Sequence, residues 1–532
     1  LPKLIAQKGA LISGFTPDNF GLIMSLGYVI FKSGMITMFI SITAGILAVF
    51  TLYHILSRFT GKENSFILAS FFYTLPMVFF QSSAEIKTDM PLLLFGALSV
   101  LSFLEFRKNE SLKWLAICAL FAGIAFGIKF TAIFLIFSLF VLLLYRAFKV
   151  LGGLSGLLVT IGSILLIDMP ITVRYLGKDN LKLISLALIV LGILLGSIAL
   201  LRNRTGLLSK SKKILVFAGI VFITFAPWGI KNFIETNSFN LSALLNGSNQ
   251  FLANINWSGL DIDMKACSFS DDEEDFGRYL PSFDNNYLKM LLVPWTMTMN
   301  DSFVSPYIDI SFLFLLFLPL VFIFFYKNLD KEILIFFLIY WIYWWVGASG
   351  ITWYALIGFI PAFIILSYAF SSRFPRTLIK ISLILWFVSI MMVRIDFFNS
   401  SYFYNLLKFG GVIDEKDTGE LLDEIYGGQI SLLKVIDWDN IGDNRVYLNN
   451  KTLIFFVDEG HENIITDRSF SSLECLFKNK DGLTGNLKKA GIKYILFTEF
   501  EPTEFTTSFT AFAKDNLKLV KQAKNSFLFE VE

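Results

Sequence analysis

Histidine is nearly missing from this chain of 532 residues, which holds only His54 and His461. Two histidines so far apart argue against a His-based metal site and against a Ser-His-Asp triad. Cysteine is equally scarce, and Cys118, Cys267 and Cys475 show no metal-ligand spacing. Cys118 stands inside an apolar run and reads as a small buried hydrophobe; Cys267 and Cys475 are left open as a pair or as free thiols. Charge is short as well: 17% of residues are charged, against about 25% in soluble domains. A net charge of +2 carries no nucleic-acid signature. No internal repeat is found, and no divalent cofactor is expected.

Hydrocarbon fills the space instead. Hydrophobic residues make up 55% of the chain, with 59 phenylalanines, and they gather in runs of about 17–25 residues, the length that spans a bilayer core. The runs lie near 35–56, 65–82, 90–106, 113–128, 130–147, 150–169, 182–201, 213–231, 308–326, 332–348, 351–370 and 377–394. As one helix, residues 113–147 would be about 52 Å long, too long for a single span. A turn at Gly127–Thr131 is predicted there. His54, near the end of a run, reads as an interfacial packing residue.

The distribution of Lys and Arg tests this count. With the helix at 35–56 running inward, the inner loops hold seventeen basic residues and the short outer turns only five, Lys87, Lys129, Arg174, Lys178 and Lys182. The alternation never breaks. It predicts an α-helical polytopic membrane protein with about twelve transmembrane helices; the membrane is expected to be the cytoplasmic (inner) membrane of a prokaryote. Residues 1–34 form an outer loop with an amphipathic helix from Phe20 to Lys32, and 35–231 a first set of helices. Residues 232–306 form a large outer loop, and 307–396 a second set of helices. Residues 397–532 form a small soluble α/β domain outside. In that domain strands are predicted at 453–457, 493–498 and 526–531, with helices at 414–425 and 484–490, and no glycine-rich phosphate loop. The chain opens on Leu1 with nothing that reads as a signal peptide, so upstream sequence with one more helix is expected.

Ionisable residues at a membrane edge are costly and so are candidates for function. In SSAEIKTDMPLLLF, Glu85, Lys87 and Asp89 precede a helix. Asp89 is placed either to cap that helix, with Pro91 in its first turn, or to serve as a base, an acid or an orienting carboxylate in an outward cavity. In FGIKFTA, Lys129 sits in a tight turn, either snorkelling to the interface or binding a phosphate as a point charge. In APWGIKNFIETNSF, Trp228 reads as an interfacial anchor, with Lys231 and Asn232 as candidates to bind a head group. The acidic run Asp271, Asp272, Glu273, Glu274 and Asp275 lacks calcium-loop spacing and reads as a solvated face. No span carries a charge at its middle, which counts against a pump or ion-coupled transporter.

Taken in order, these segments resemble the GT-C class of membrane glycosyltransferases, in its protein O-mannosyltransferase-like and aminoarabinose-transferase-like branch. The matching text is LPKLIAQKGALI with TPDNFGLIMSLGYVI, LPMVFFQSSAEIKTDMPLLLFGALSVLSFLEF, WLAICALFAGIAFGIKFTAIFLI, PWGIKNFIETNSF and IYWWVGASGITWYALIGFIP, within residues 1–370. The resemblance implies transfer of a sugar from a polyprenyl-phosphate donor to a protein, glycan or lipid acceptor outside the cytoplasm, usually with inversion. It also implies an acidic base in the first outer loop, just before LPKLIAQKG, and therefore upstream of Leu1. Asp18, the acid that remains in this segment, lies later than the pattern expects. Lys87 with Asp89 fits the basic–acidic pair of the second outer loop, and Lys129 and Lys231 fall at positions commonly basic, implied to bind the donor phosphate. Tyr354 falls where relatives carry Arg-Tyr, with Trp353 in place of the Arg. The rival reading is a non-catalytic GT-C-like subunit that contacts other membrane proteins through its C-terminal domain.

Overall fold

The computed structural model describes residues 19–31, 34–75, 77–78, 88–166, 178–236, 317–348 and 352–371. Towards the C-terminus it describes 427–438, 444–449, 464–466, 483–489, 491–498 and 504–531, with a few single positions between these segments. The chain separates into two compact units, one holding the apolar helices and the other the C-terminal segments.

In the helical unit, α1 (Asn19–Phe31) and α2 (Gly34–Leu56) form a hairpin, closed by a hydrogen bond from Thr37 Oγ1 to the Met24 carbonyl at 3.0 Å. The exposed side of α1 carries Ile23, Leu26 and Val29. α3 (Lys62–Thr74) is short and gives way at Leu75 to extended backbone. α4 (Asp89–Asn109) and α5 (Leu112–Ile128) run antiparallel, with Ser99 Oγ donating to the Cys118 carbonyl at 3.0 Å. Cys118 is buried. As predicted, the chain turns after α5: Lys129 is extended, and a short 3-10 turn spans Phe130–Ala132.

α6 (Ile133–Leu165) is helical throughout except at Lys149, whose φ of 62° lies in the left-handed region. The chain folds back on itself there. A Cβ on Gly152 would sit 2.5 Å from the Leu144 carbonyl oxygen, and one on Gly156 3.5 Å from the Val141 Cα. Residues eight and fifteen apart in sequence could not touch along one straight helix, which rises about 1.5 Å per residue. The hairpin matches the turn expected between the runs at 130–147 and 150–169.

α7 (Lys178–Arg202) packs on the second arm of α6 through small residues. Ser155 Oγ donates to the Gly192 carbonyl at 2.7 Å, and Ser185 Oγ to the Gly162 carbonyl at 2.6 Å. Small side chains let backbones approach where hydrocarbon solvent gives no hydrophobic drive, the usual membrane solution. α8 (Leu207–Thr236), α9 (Leu318–Phe325), α10 (Lys331–Ala348), a 3-10 turn at Thr352–Gly358 and α11 (Phe359–Ser371) follow. Among the described residues six helices are long and apolar enough to cross a membrane. Most of the run at 377–394 and the start of that at 308–326 lie outside the described residues, so the count of about twelve stays an expectation.

The C-terminal unit is a five-stranded sheet with helices. Its elements are α12 (Gln429–Leu433), β1 (Arg445–Leu448), β2 (Ile464–Thr466), α13 (Leu483–Lys489), β3 (Ile492–Thr498), α14 (Glu504–Asn516), β4 (Lys518–Ala523) and β5 (Ser526–Glu530). The order is β2-β1-β3-β5-β4, with β1 parallel to both β2 and β3 and the β3–β5–β4 edge antiparallel. One face buries Tyr447, Ile495, Phe497, Phe509 and Phe527; the other buries Val446, Leu448, Leu496 and Leu528. Burial on both faces explains the near-continuous apolar strands. The predicted strands at 493–498 and 526–531 and the helix near 484–490 are present. Most of 453–457 and 414–425 lies outside the described residues, and β1, β2 and β4 went unnamed in the sequence.

Candidate active site: a buried acid–lysine pair at one membrane face

α4 opens on Asp89, and α5 ends one residue before Lys129, so an antiparallel pair of helices brings the two residues to the same end. Lys129 Nζ lies 2.7 Å from Asp89 Oδ1, with Asp89 buried and Lys129 largely so. The 3-10 turn holding Tyr354 reaches this end because Ile357 packs on Gly96 of α4, where an added Cβ would come within 2.7 Å. Lys129 Nζ stands 4.7 Å from the centre of the Tyr354 ring, a cation–π distance. Phe130 packs edge-on against the same ring at 6.1 Å. Asp89, Lys129 and Tyr354, some 265 residues apart at the extremes, thus converge.

The surroundings of Asp89 show what its side chain meets. Its hydrogen bond goes to the ammonium of Lys129, and Thr88, at the N-cap, makes no side-chain cap bond. The carboxylate is therefore engaged with charge and not with the helix's own N–H groups. Lys129 does not snorkel outward, since its nitrogen is held inward by Asp89 and Tyr354.

A second group lies at the same end. α8 runs alongside α5, with Thr224 level with Gly123 and the Phe126 and Phe225 rings 4.4 Å apart. Continuing that register brings Trp228 and Lys231 to the end of α5. Trp228 is buried, and its Nε1 donates to Asn19 Oδ1 at 2.7 Å. Asn19 Nδ2 in turn donates to the Ile124 carbonyl at 3.5 Å. Trp228 is therefore packed as a clasp between α8, α1 and α5. Lys231 Nζ lies 5.8 Å from the Trp228 ring centre, and Asn232 is fully buried.

Sequence reasoning missed Asn19 and Thr131. Thr131 is buried, and its Oγ1 has no hydrogen-bond partner among the described residues, two positions from Lys129. Only the TPDN text before an apolar run pointed towards Asn19. Glu85, Lys87, Asp18, Cys267, Cys475 and the run at 271–275 lie outside the described residues. Among the described residues no cluster of His, Cys, Asp and Glu could hold a metal ion.

Beside the pair, α1, α2 and α4 enclose an apolar groove of about 300 Å³, lined by Phe20, Ile40, Ala44, Leu94 and Phe95 among others. Leu94 and Phe95 lie about one and a half turns along α4 from Asp89. The groove opens beside Phe39 and Leu47, both exposed.

This is an α-helical polytopic membrane protein with a charged pair at one end of its helices and a C-terminal α/β unit. Residues 17–171 match the family described as dolichyl-phosphate-mannose-protein mannosyltransferase. That segment contains both Asp89 and Lys129. Among solved structures the chain is similar to the oligosaccharyltransferase AglB from Archaeoglobus fulgidus in complex with an inhibitory peptide and a dolichol-phosphate. Identity is 12% and the TM-score 0.46, covering 96% of this chain and 66% of that one. It is also similar to ArnT from Cupriavidus metallidurans bound to undecaprenyl phosphate, at 11% identity and TM-score 0.35, covering 100% of this chain and 92% of that one. The chain thus spans just under two thirds of the AglB chain. No curated protein matches it.

Proposed function

We propose that the protein transfers a sugar from a polyprenyl-phosphate donor to an acceptor on the outer side of the cytoplasmic membrane. One observation carries the reading: a buried carboxylate and ammonium, 2.7 Å apart, inside the segment that matches a lipid-phosphate-dependent mannosyltransferase family. A lone charge at this depth is costly, and a paired one is costly unless its geometry is good. The pair at 89 and 129 therefore calls for a use as well as a partner.

In the proposed reaction an acceptor hydroxyl or amine attacks the anomeric carbon. The bond from that carbon to the lipid-phosphate oxygen breaks, and the phosphate leaves with the electron pair. Lys129 and Lys231 stabilise the charge growing on that oxygen, fixed cations being most effective where water is excluded. Asp89 holds Lys129 charged and in place, and takes or orients the acceptor's proton. The ring of Tyr354 limits the directions open to the ammonium. Glu85, Lys87 and Asn232 stand as secondary contacts. The apolar groove between α1, α2 and α4 suits the first isoprene units of a lipid entering from the bilayer. The C-terminal unit lies outside, binding acceptor or a membrane partner.

The test is sugar transfer by purified full-length protein from a radiolabelled polyprenyl-phosphate sugar. Product formation, lost in Lys129→Met, supports the reading. No transfer with any such donor would leave the non-catalytic subunit as the better account.

A further inference from the structure

A second charged cavity lies at the opposite ends of the same helices. Its walls come from the end of α4, the bend of α6, the start of α8 and the start of α10, and it encloses about 850 Å³. Since α4 is 21 residues long, this cavity stands about 30 Å along the helix from Asp89. It is distinct from the site proposed above.

Six basic side chains line it: Arg107, Arg146, Lys149, Lys210, Lys213 and Lys331. The three acids that face them are Glu110, Asp330 and Glu332. All three acids are engaged. Glu110 pairs with Arg146 and Lys213, Asp330 with Arg107 at 2.7 Å, and Glu332 with Arg146 at 2.9 Å. Lys149, Lys210 and Lys331 have no acidic partner among the described residues. Among the described residues Lys210 reaches the Asn203 carbonyl, at 3.4 Å, and the Phe148 ring. Lys149 is held at the bend with a positive φ, a conformation uncommon outside glycine. The lining therefore carries three more positive than negative charges in one concavity, which favours an anion strongly.

Lipid is the better source for that anion than free solute. Val150 and Leu154, next to Lys149, and Leu208 and Leu215, flanking Lys210 and Lys213, are exposed apolar side chains. A charged cavity bordered by hydrocarbon-facing residues suits a head group whose chains stay in the membrane. We propose that this cavity binds the phosphate of an anionic phospholipid from the leaflet opposite the Asp89–Lys129 pair. The bound head group neutralises Lys149, Lys210 and Lys331 and so ties together α6, α8 and α10.

Native mass spectrometry of the full-length protein with phosphatidylglycerol against phosphatidylcholine, at matched chains, tests this. The wild type is expected to retain phosphatidylglycerol at least about tenfold better. Lys149→Gln with Lys210→Gln and Lys331→Gln should abolish that preference, and the corresponding triple Arg variant should keep it. Lys212→Gln, which removes an exposed charge outside the cavity, should leave it unchanged. Because the Arg variant keeps charge while altering shape, it separates loss of binding from loss of fold. Equal retention of both lipids by the wild type, or an unchanged preference in the Gln variant, would overturn the proposal. Displacement of phosphatidylglycerol by millimolar inorganic phosphate, with equal thermal stabilisation, would assign the cavity to a soluble anion and overturn the lipid.

Discussion

Removing one member of the Asp89–Lys129 pair and removing both should have opposite effects on stability and the same effect on activity. The carboxylate side chain is 5% exposed and the lysine side chain 18%, so neither is well solvated when its partner goes. Breaking a buried pair on one side costs about 3–5 kcal/mol, because a charge is left uncompensated. The small exposure of Lys129 puts Asp89→Asn towards the lower end, about 3 kcal/mol. Lys129→Met leaves the more deeply buried carboxylate alone and belongs at the upper end. Replacing both, as Asp89→Leu with Lys129→Met, removes the desolvation cost along with the attraction, and such exchanges are often neutral or stabilising by about 1–4 kcal/mol. The double variant should therefore unfold at or above the wild-type temperature, while each single variant unfolds well below it. Sugar transfer should fall by about a hundredfold or more in all three, as expected when a proton-handling or charge-stabilising group is lost. The assay is a double-mutant cycle read twice, by thermal unfolding in detergent and by transfer from a polyprenyl-phosphate donor. A double variant that regains stability and also transfers normally would refute a functional role and leave the pair as packing. Additive single effects on stability would refute the energetic coupling itself.

Other parts of the molecule make further predictions. Gly127→Ala should cost about 1–3 kcal/mol and shift tryptophan fluorescence, because its Cβ would stand 2.1 Å from Asn19 Nδ2 and push Asn19 off Trp228; unchanged fluorescence would count against the clasp. Thr498→Val should lower the C-terminal unit's resistance to proteolysis in the full chain by about 1–3 kcal/mol of opening energy. It strips a buried network in which Thr498 Oγ1 meets Gln429 and Ser526, the latter at 2.7 Å. Burial works to raise the pKa of Glu110, but Lys213 and Arg146 outweigh it and hold the carboxyl below its ordinary 4.5. The stabilisation this gives is present above that value and lost as pH falls through the lower folded-state value, so Glu110→Gln should flatten the acid limb of the unfolding curve. A cysteine at Asn203 should be labelled only from the cytoplasm, and one at Lys488 only from outside; labelling of both from one side would overturn the proposed topology.

Periodicity alone determined much of this protein. Apolar runs of membrane length and the skew of Lys and Arg were enough to find the helical hairpins, including the turn at Gly127–Thr131 and the reversal at 146–149. A span must bury its own backbone hydrogen bonds, and that leaves so little freedom that length and composition speak for structure. The strands at 493–498 and 526–531 were legible for a similar reason, because burial on both faces makes their middles apolar. What lay beyond reach was pairing at a distance. Asp89 read equally well as a helix cap, Lys129 as a snorkelling side chain, and Trp228 as an interfacial anchor, because each judgement used only its neighbours in sequence. Tertiary packing turned all three inward, as α4 and α5 closed antiparallel, Gly96 admitted the turn that carries Tyr354, and Asn19 reached across to Trp228. Contacts of that kind depend on which small residues let two helices approach, and a single sequence carries no mark of which helix its glycine will meet. The same holds for the basic cavity. Its six cations were counted in the sequence as an inward-facing charge bias, but only the fold gathered them from four helices around one space and left three without an acid.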